Sequence, residues 1–443
     1  ENMSALIGLR EGDYGVVGEG EQTVIELLAC LARQENMDHI EGLIFYRDGR
    51  YIQTPPRYHH PDINSLPRPD IESFGYERRL DAARPSDAYY MDIFDYPREY
   101  PLVTSRTCPF SCTFCYQPSR RKYRVRDLDD VFVELEENVH RYRINLVSIY
   151  DELFHLKDDR LLDFCRRFEA FRKTVPWDIR WGCQARVTNI TDEILAAMAK
   201  SGCFGISYGI ESASQPILDS MRKKISFEQI DQAVSATIRH GISVQGNFLF
   251  GDVEETIDTA QQTLDYWKTH PDYGIVLYWV IPVPGSSVYR YAMEHGYLGN
   301  LEDFLINRYF KPINFTKLPD SAFYEIGRRV FQYKMLYIRW QLRKSRTDDS
   351  VTFECPSCNN ENTYKNYKNN RFYFQSMFYC RQCRRRFYGA DRVYQLHAWI
   401  MGHIMFVWPM YMFYVSFYDV LRRVKKKLRH GLARINRTPA HIR

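Results

Sequence analysis

The sequence predicts an α/β fold centred on a partial or full (β/α) barrel of about six strand–helix units. Between residues 101 and 300, short apolar runs alternate with stretches whose apolar residues recur at helical spacing. This alternation is typical of parallel strands that are joined by helices. A composition of 45% hydrophobic and 26% charged residues excludes a disordered or collagen-like chain.

The barrel elements follow one another in regular order. Strands are predicted near residues 101–104, 144–150, 178–183, 204–209, 243–250 and 274–281. Helices are predicted near residues 127–140, 158–172, 192–200, 226–240 and 254–268. In such barrels the functional side chains lie at the carboxyl ends of the strands, so the site is expected there.

The remaining sequence divides by composition. Residues 1–40 contain a strand, a Gly-rich turn and a helix, as at the end of an α/β domain, and the missing Met suggests a fragment. Residues 41–100 are a Pro-rich connector, and residues 101–300 form the barrel. We expect a helical extension over 301–350, a cysteine-containing module over 351–390 and an apolar helix with a basic tail over 391–443.

A first group of cysteines follows the first predicted strand. Cys108, Cys112 and Cys115 have the spacing C-x3-C-x2-C, and three thiolates on one loop can hold three corners of a 4Fe-4S cluster. The fourth iron would then be open to a ligand, as the metal is in a catalytic site. A zinc site with a distant ligand, or three unconnected thiols, are the alternatives.

With Phe114 directly before the third cysteine, this loop resembles the signature of the radical S-adenosylmethionine (radical SAM) enzymes. The resemblance implies that the open iron binds the amino and carboxylate groups of SAM. The reduced cluster of that family cleaves SAM to a 5′-deoxyadenosyl radical. An electron donor such as ferredoxin or flavodoxin is implied as a partner.

The resemblance extends over residues 100–300 and suggests further SAM contacts. Glu152, preferred over its neighbour Asp151, matches the carboxylate that holds the SAM amino group. Arg186 and Glu211 lie in segments that resemble the SAM pocket, although an ion pair between them is an alternative. The resemblance also indicates that Gly246 and Gly251 lie in or beside the turn that passes the adenosine. This turn departs from the family pattern at residues 252–254.

Two segments resemble the cobalamin-associated branch of this family. They are Gly18-Glu19-Gly20-Glu21 with its helix, and Pro67-Arg68-Pro69-Asp70. The branch implies a preceding Rossmann-like domain and a cobalamin that relays a methyl group from SAM. No D-x-H-x-x-G cobalamin loop is present in the sequence, so we do not expect this chain to hold cobalamin alone. Methylation of a small or lipid-like substrate is the predicted reaction, and rearrangement or cyclisation stays open.

A second group of cysteines has two C-x2-C knuckles: Cys355, Cys358, Cys380 and Cys383. Four thiolates in this pattern predict a closed zinc site of the zinc-ribbon type, with an auxiliary iron–sulfur cluster as the alternative. The arginines at 381 and 384–386 either contact RNA or a ribosomal protein, or form a solvated basic face.

The net charge of +5 hides an asymmetry. Residues 422–443 carry nine Lys or Arg and no acid, after an uncharged aromatic-rich run between Arg392 and Asp419. Since both the basic tail and an oxygen-sensitive cluster belong in the cytoplasm, a single membrane span is excluded. The sequence therefore predicts a helix that lies in the membrane interface, in an enzyme that is cytoplasmic and peripheral to the membrane. As the partner of the basic tail, a membrane surface is favoured over nucleic acid. A helix packed on the barrel is the alternative.

Overall fold

The computed structural model describes residues 9–57, 59–60, 62–88, 90–116, 122–188, 190–301, 304–305, 312–368 and 374–404. The N-terminal unit contains an antiparallel sheet in the order β1-β2-β3 and one helix. Its elements are β1 (Tyr14–Val16), α1 (Glu21–Arg33), β2 (Leu43–Arg47) and β3 (Arg50–Gln53). A small apolar core joins helix and sheet: Leu27, Cys30, Ile40, Leu43 and Phe45.

Six parallel strands form the central sheet, in the same order as in the sequence. Helix α2 (Tyr76–Ala82) precedes the sheet, and a hairpin of β5 (Ser105–Arg106) and β6 (Arg124–Val125) lies outside it. The six strands of the sheet are β4 (Glu99–Leu102), β7 (Leu146–Ile149), β8 (Arg180–Ala185), β9 (Cys203–Glu211), β10 (Ser243–Phe250) and β11 (Ile275–Trp279). Among the described residues, the edge strands β4 and β11 do not pair with each other. The predicted parallel α/β architecture is confirmed, as an open sheet.

Helices cover the outer face of this sheet. They are α3 (Leu128–Tyr142), α4 (Asp158–Arg172), α5 (Asp192–Ser201), α6 (Gln215–Ser220), α7 (Phe227–Arg239), α8 (Ile257–Thr269) and α9 (Ser287–Glu294). Trp181 on β8 packs edge-on against Phe164 of α4, with ring centroids 5.2 Å apart, and both are fully buried. Ser226 and Thr256 cap α7 and α8 through their side-chain oxygens, which fixes where those helices begin.

The C-terminal part begins with a long helix and continues into two small sheets. Its elements are α10 (Asp320–Leu336), β12 (Trp340–Leu342), β13 (Ser345–Arg346), β14 (Val351–Glu354), β15 (Glu361–Tyr364), β16 (Gln375–Tyr379), β17 (Arg386–Ala390) and α11 (Arg392–Ile404). The sheets have the orders β12-β17-β16 and β13-β14-β15. Buried aromatic rings, including Phe353 and Phe378 with centroids 4.5 Å apart, join them into one module.

This module docks on the amino ends of the barrel strands, opposite the edge where the site is expected. Arg386 bonds Asp92 of the connector at 3.0 Å and Ser243 at the start of β10 at 3.2 Å. Asp92 also accepts the backbone N–H of Tyr379 at 2.6 Å. Both members of the ion pair are buried, so the contact excludes water and depends on complete pairing.

Residues 391–443, predicted as an apolar helix and basic tail, are described only as far as residue 404. Helix α11 packs Ala398 and Gly402 inward, and Gly402 lies against Leu336 of α10. Within the described residues, no helix has the length and apolar character needed to cross a bilayer. The membrane prediction otherwise falls on residues outside the described part of the chain.

We predict that Asp92→Ala lowers the free energy of unfolding by about 3–5 kcal/mol, because it leaves the Arg386 charge buried and unpaired. Urea denaturation followed by circular dichroism measures this loss. Asp38→Asn, which removes the exposed pair with Arg47, is the control and should leave the midpoint unchanged. Equal midpoints for Asp92→Ala and the wild type would contradict the role given to this contact.

Candidate functional site

The three cysteines of the first group lie on the loop between β5 and β6, beyond the carboxyl end of β4. None of Cys108, Cys112 and Cys115 is fully buried, and none forms a disulfide. Partial burial and the two neighbouring thiols raise the pKa of Cys115 to about 11. Three cysteines on one short loop, none of them in a disulfide, form a thiol set of the kind that binds iron. The donor set therefore fits an iron–sulfur cluster.

Asp151, at the end of β7, holds the start of this loop in place. Its carboxylate accepts the backbone N–H of Thr104 at 2.7 Å, the Thr104 hydroxyl at 2.6 Å and the Ser105 hydroxyl at 2.7 Å. The side chain is buried and its oxygens are occupied by these donors. Asp151 therefore ties the ends of β4 and β7 together, and its neighbour carries the accessible carboxylate.

The Glu152 carboxylate faces the cysteine loop. Its charge contributes to the raised pKa of Cys108 and Cys115, after burial and the neighbouring thiols. Burial also raises the pKa of Glu152 itself, against a hydrogen bond from the Cys108 backbone. The structure thus brings Glu152 and the cysteines together, with the carboxylate beside the loop that would carry the cluster.

Arg186, just beyond β8, is buried against the cysteine loop. Its guanidinium stacks over the Phe110 ring at 3.7 Å, and Nη1 lies 4.0 Å from the Cys112 sulfur. Its Nη2 donates to the backbone carbonyl of Lys223. The Nε–H is buried without an acceptor in the described part of the structure. A buried cation with a free donor fits an anionic ligand such as a carboxylate.

Glu211 forms a buried ion pair, but its partner is Lys223 and not Arg186. The Lys223 Nζ lies 2.7 Å from the Glu211 carboxylate, and each side chain is 8% exposed. A register shift between β9 and β10 and a left-handed backbone at Glu211, with φ of 60°, turn this side chain into the site. The alternative pairing of Arg186 with Glu211 is therefore wrong, and Lys223 is a site residue that the sequence analysis missed.

The other predicted residues have different surroundings. Phe114 lies under the Lys223 ammonium, 5.7 Å from its ring centre. At Gly246 a Cβ would meet the Ile210 side chain at 2.6 Å, so this glycine permits close packing of β9 and β10. Gly251 ends β10 with φ of 88°, a conformation that favours glycine.

The turn after β10 is held by two buried acids. Glu255 accepts the backbone N–H of Gly251 at 3.1 Å and the Thr259 hydroxyl at 2.6 Å. Asp252 accepts a hydrogen bond from Ser220 and the Glu254 backbone N–H. Burial raises the pKa of Glu255 to about 7. Asp252 and Glu254, which depart from the family pattern, thus belong to a turn that is held by hydrogen bonds of its own residues.

The inner face of the sheet encloses a cavity of about 150 Å³. Polar residues such as Ser148, Gln184 and Ser207 line part of it, and apolar ones such as Phe204 and Val244 line the rest. The Tyr150 hydroxyl bonds the Glu99 carboxylate at 3.0 Å and the Tyr90 hydroxyl at 2.8 Å near its wall. The first residues of β9 and β10 and Arg386 of the C-terminal module line it, so the cavity lies on the side of the docked module.

The second cysteine group is compact. The four sulfur atoms lie within 4.8 Å of one another, with Cys355 and Cys383 3.6 Å apart and Cys358 and Cys380 3.7 Å apart. A tetrahedron with metal–sulfur bonds of about 2.3 Å has edges of about 3.8 Å. The spacing therefore fits one tetrahedral metal ion, whereas the corners of a cubane cluster need more room.

The open parallel sheet and the three thiols on the loop after its first strand agree with the resemblance to the radical SAM enzymes, and comparison with known proteins supports it. Residues 102–266 match the Radical SAM superfamily. This part of the chain is therefore a radical SAM domain. The resemblance to the radical SAM enzymes is thereby confirmed for these residues.

Curated relatives cover similar parts of the chain. An uncharacterized methyltransferase of Pyrococcus horikoshii is 29% identical over 289 residues, which are 65% of this chain and 59% of the relative. An anaerobic magnesium-protoporphyrin IX monomethyl ester cyclase of Rubrivivax gelatinosus is 28% identical over 57% of this chain and 44% of its own length. The chain thus spans about half the length of such relatives.

Among solved structures, the fold is similar to the cobalamin-dependent S-adenosylmethionine radical enzyme OxsB. The TM-score is 0.56 at 16% identity, over 72% of this chain and 50% of OxsB. This similarity concerns the fold.

We predict that Glu255 makes the stability of this chain pH-dependent. Because its folded pKa of about 7 lies above the ordinary 4.5, the protonated form favours the fold, and stability is lost as pH rises from about 4.5 to 7. Glu255→Gln removes this loss, on the order of 3 kcal/mol, so the variant gains on the wild type between pH 5 and pH 8. Urea midpoints across that pH range provide the measurement, and parallel pH profiles for the two proteins would contradict the prediction.

Proposed function

We propose that this chain is the catalytic part of a radical SAM methyltransferase that acts on a small, polar substrate. The observation that carries the proposal is the accessible thiol triad beside Glu152 and the unpaired Nε–H of Arg186. The triad fits a 4Fe-4S cluster with an open iron, and a bound cluster of this kind supplies the electron that cleaves SAM.

The residues around the triad have complementary roles toward SAM, which carries an amino and a carboxylate group. In this proposal Glu152 binds the amino group, which its position beside the cysteine loop supports, and Arg186 binds the carboxylate through its unpaired Nε–H. The paired Glu211 and Lys223 keep the wall between them neutral and rigid. Glu255 fixes the turn at Gly251. Because glycine has no side chain, the backbone of this turn suits a close contact with the adenosine of SAM.

The polar cavity supports a small, hydrogen-bonding substrate over a lipid-like one. Ser148, Gln184 and Ser207 offer donors and acceptors along the inner sheet, and an acyl chain would leave them unpaired. Burying such groups without partners is costly, so they favour a ligand that carries polar groups at these positions.

Methyl transfer is supported by the names of several relatives, among them the cytidylyl-2-hydroxyethylphosphonate methyltransferase of Streptomyces wedmorensis, which is 27% identical over 65% of this chain. Cobalamin would relay the methyl group, supplied by a further domain, and a ferredoxin or flavodoxin would supply electrons. A rearrangement or cyclisation, as the cyclase relatives suggest, is the alternative. Transfer of label from methyl-labelled SAM to product separates these reactions, since a cyclisation transfers none.

Zinc is proposed for the second cysteine group because the sulfur spacing fits a tetrahedral ion. A role in RNA binding is less well supported, since Arg381 and Arg386 bond Asp95 and Asp92 of the connector. Cytoplasmic, membrane-peripheral localisation through residues 391–443 remains a prediction from sequence. Co-sedimentation of the full chain with anionic vesicles tests it, and an unbound chain would refute it.

We predict that the two cysteine groups hold different metals. Cys108→Ala with Cys112→Ala abolishes uptake of the cluster, about four iron atoms per chain, and the formation of 5′-deoxyadenosine, but leaves about one zinc. Cys355→Ala with Cys380→Ala removes the zinc and leaves the iron. Elemental analysis after anaerobic reconstitution distinguishes them, with Cys165→Ala, at a buried cysteine outside both groups, as the control. Iron bound equally by wild type and the first variant would refute the cluster assignment.

We predict that Glu152→Gln weakens SAM binding about 10- to 100-fold, because a charge-assisted hydrogen bond to the amino group becomes a neutral one. Equilibrium dialysis with labelled SAM on reconstituted protein gives the affinity, and iron content should match the wild type. Glu136→Gln, on the exposed face of α3, is the matched control. Unchanged affinity in Glu152→Gln would remove this residue from the proposed site.

A further inference from the structure

The loop that carries the three cysteines leaves and rejoins the barrel through the hairpin β5–β6, which we call the neck. The neck is only two residues long on each strand, and it pairs Ser105 with Val125 and Arg106 with Arg124. Arg106 and Arg124 therefore stand directly opposite each other. Like charges in such cross-strand positions destabilise a pair of antiparallel strands.

Two acids from the N-terminal unit neutralise this pair of arginines. Glu19 binds Arg124 through both carboxylate oxygens, at 2.5 and 2.9 Å. Glu21 binds Arg106 at 2.5 Å, and Glu19 also lies 3.7 Å from Arg106. Burial raises the pKa of Glu19, but the two arginines outweigh it and hold the pKa below its ordinary value. The pKa of Glu21 is lowered as well, so both acids are charged at neutral pH and neutralise the two arginines of the neck.

Arg124 is the centre of this contact. Its side chain is 4% exposed, and each of its five N–H groups has an acceptor. Besides Glu19, the acceptors are the carbonyls of His60 and Lys122 and, at 3.4 Å, the Thr107 hydroxyl. One guanidinium thus joins the N-terminal unit, the connector and both ends of the cysteine loop.

Thr107 shows why the loop needs such support. It directly precedes Cys108 and has φ of 74°, a left-handed conformation that is rare for a β-branched residue. Backbone conformations of this kind cost about 1–3 kcal/mol and persist where their surroundings enforce them. The direction of Cys108 depends on this residue.

We propose that Glu19 and Glu21 are positioning residues that keep the neck closed, so that docking of the N-terminal unit sets the geometry of the cysteine loop. Without these acids, Arg106 and Arg124 repel each other across the neck, and the loop loses the contact that holds Thr107. The N-terminal unit, which contains none of the cluster's ligands, thereby controls cluster and SAM binding. This inference rests on the cluster proposed above, but not on methyl transfer.

The test uses Glu19→Gln with Glu21→Gln in the full chain, which removes the charges and keeps the side-chain shapes. After anaerobic reconstitution, we expect reduced iron uptake and a dissociation constant for SAM about 5- to 20-fold higher, the lower part of the usual range for coupling between separate sites. The electron paramagnetic resonance signal of the reduced cluster should respond less to SAM. Asp38→Asn, on the same N-terminal unit, is the control and should behave as the wild type.

A second-site change separates repulsion from general damage. Adding Arg106→Gln removes one of the opposed charges, so the triple variant should recover part of the iron uptake and SAM affinity. If the double variant does not fold, Glu21→Gln alone and its combination with Arg106→Gln make the same comparison at a half-exposed pair. Wild-type behaviour of the acid variants, or no recovery on adding Arg106→Gln, overturns the inference. A wild-type chain that takes up no iron overturns the cluster proposal as well.

Discussion

The carboxylate of Asp151 is the contact on which the arrangement of the site depends. By accepting three hydrogen bonds from Thr104 and Ser105, it fixes the end of the first barrel strand to the end of the second. The cysteine loop begins at that point, and Glu152 follows in the next position. One buried residue therefore sets both the start of the thiol loop and the direction of the adjacent carboxylate. Its own charge is unavailable to a ligand, which divides structural and binding roles between neighbouring acids.

The two ends of the barrel have opposite properties. At the carboxyl ends of the strands lie open thiols and an unpaired guanidinium N–H. At the amino ends, the buried pair of Asp92 and Arg386 joins the C-terminal module to the sheet, beside a cavity of about 150 Å³ that Arg386 also lines. A polar group without a partner is costly when buried, so the Nε–H of Arg186 marks a point where a ligand would supply the missing acceptor. The module with the second cysteine group, at the other end, contributes stability through its docking contacts.

Much of the barrel was predictable because its signals are local. Apolar runs and helical periodicity placed all six strands and five helices within a few residues, and the cysteine spacings are readable without any fold. The short helices α2, α6 and α9 were not predicted. Lys223 was missed because its pairing with Glu211 depends on a register shift between β9 and β10. The contacts of Arg124 with Glu19 and of Arg386 with Asp92 join residues 105 and 294 positions apart. No sequence period reports such contacts, and only the assembled fold reveals them.

The charge asymmetry of the sequence takes on a different meaning in the structure. The basic residues at 381 and 386 suggested a surface for an acidic partner, but both are consumed in ion pairs with the connector. The acids at 19 and 21, which suggested only a family resemblance, neutralise arginines at the neck of the cysteine loop. A buried charge that is neutralised by an ion pair attracts a distant partner only weakly, whereas it fixes the relative position of the segments that the ion pair joins. The charges of the described part of the chain therefore act mainly on its own geometry, and they converge on the loop where the cofactor chemistry is proposed.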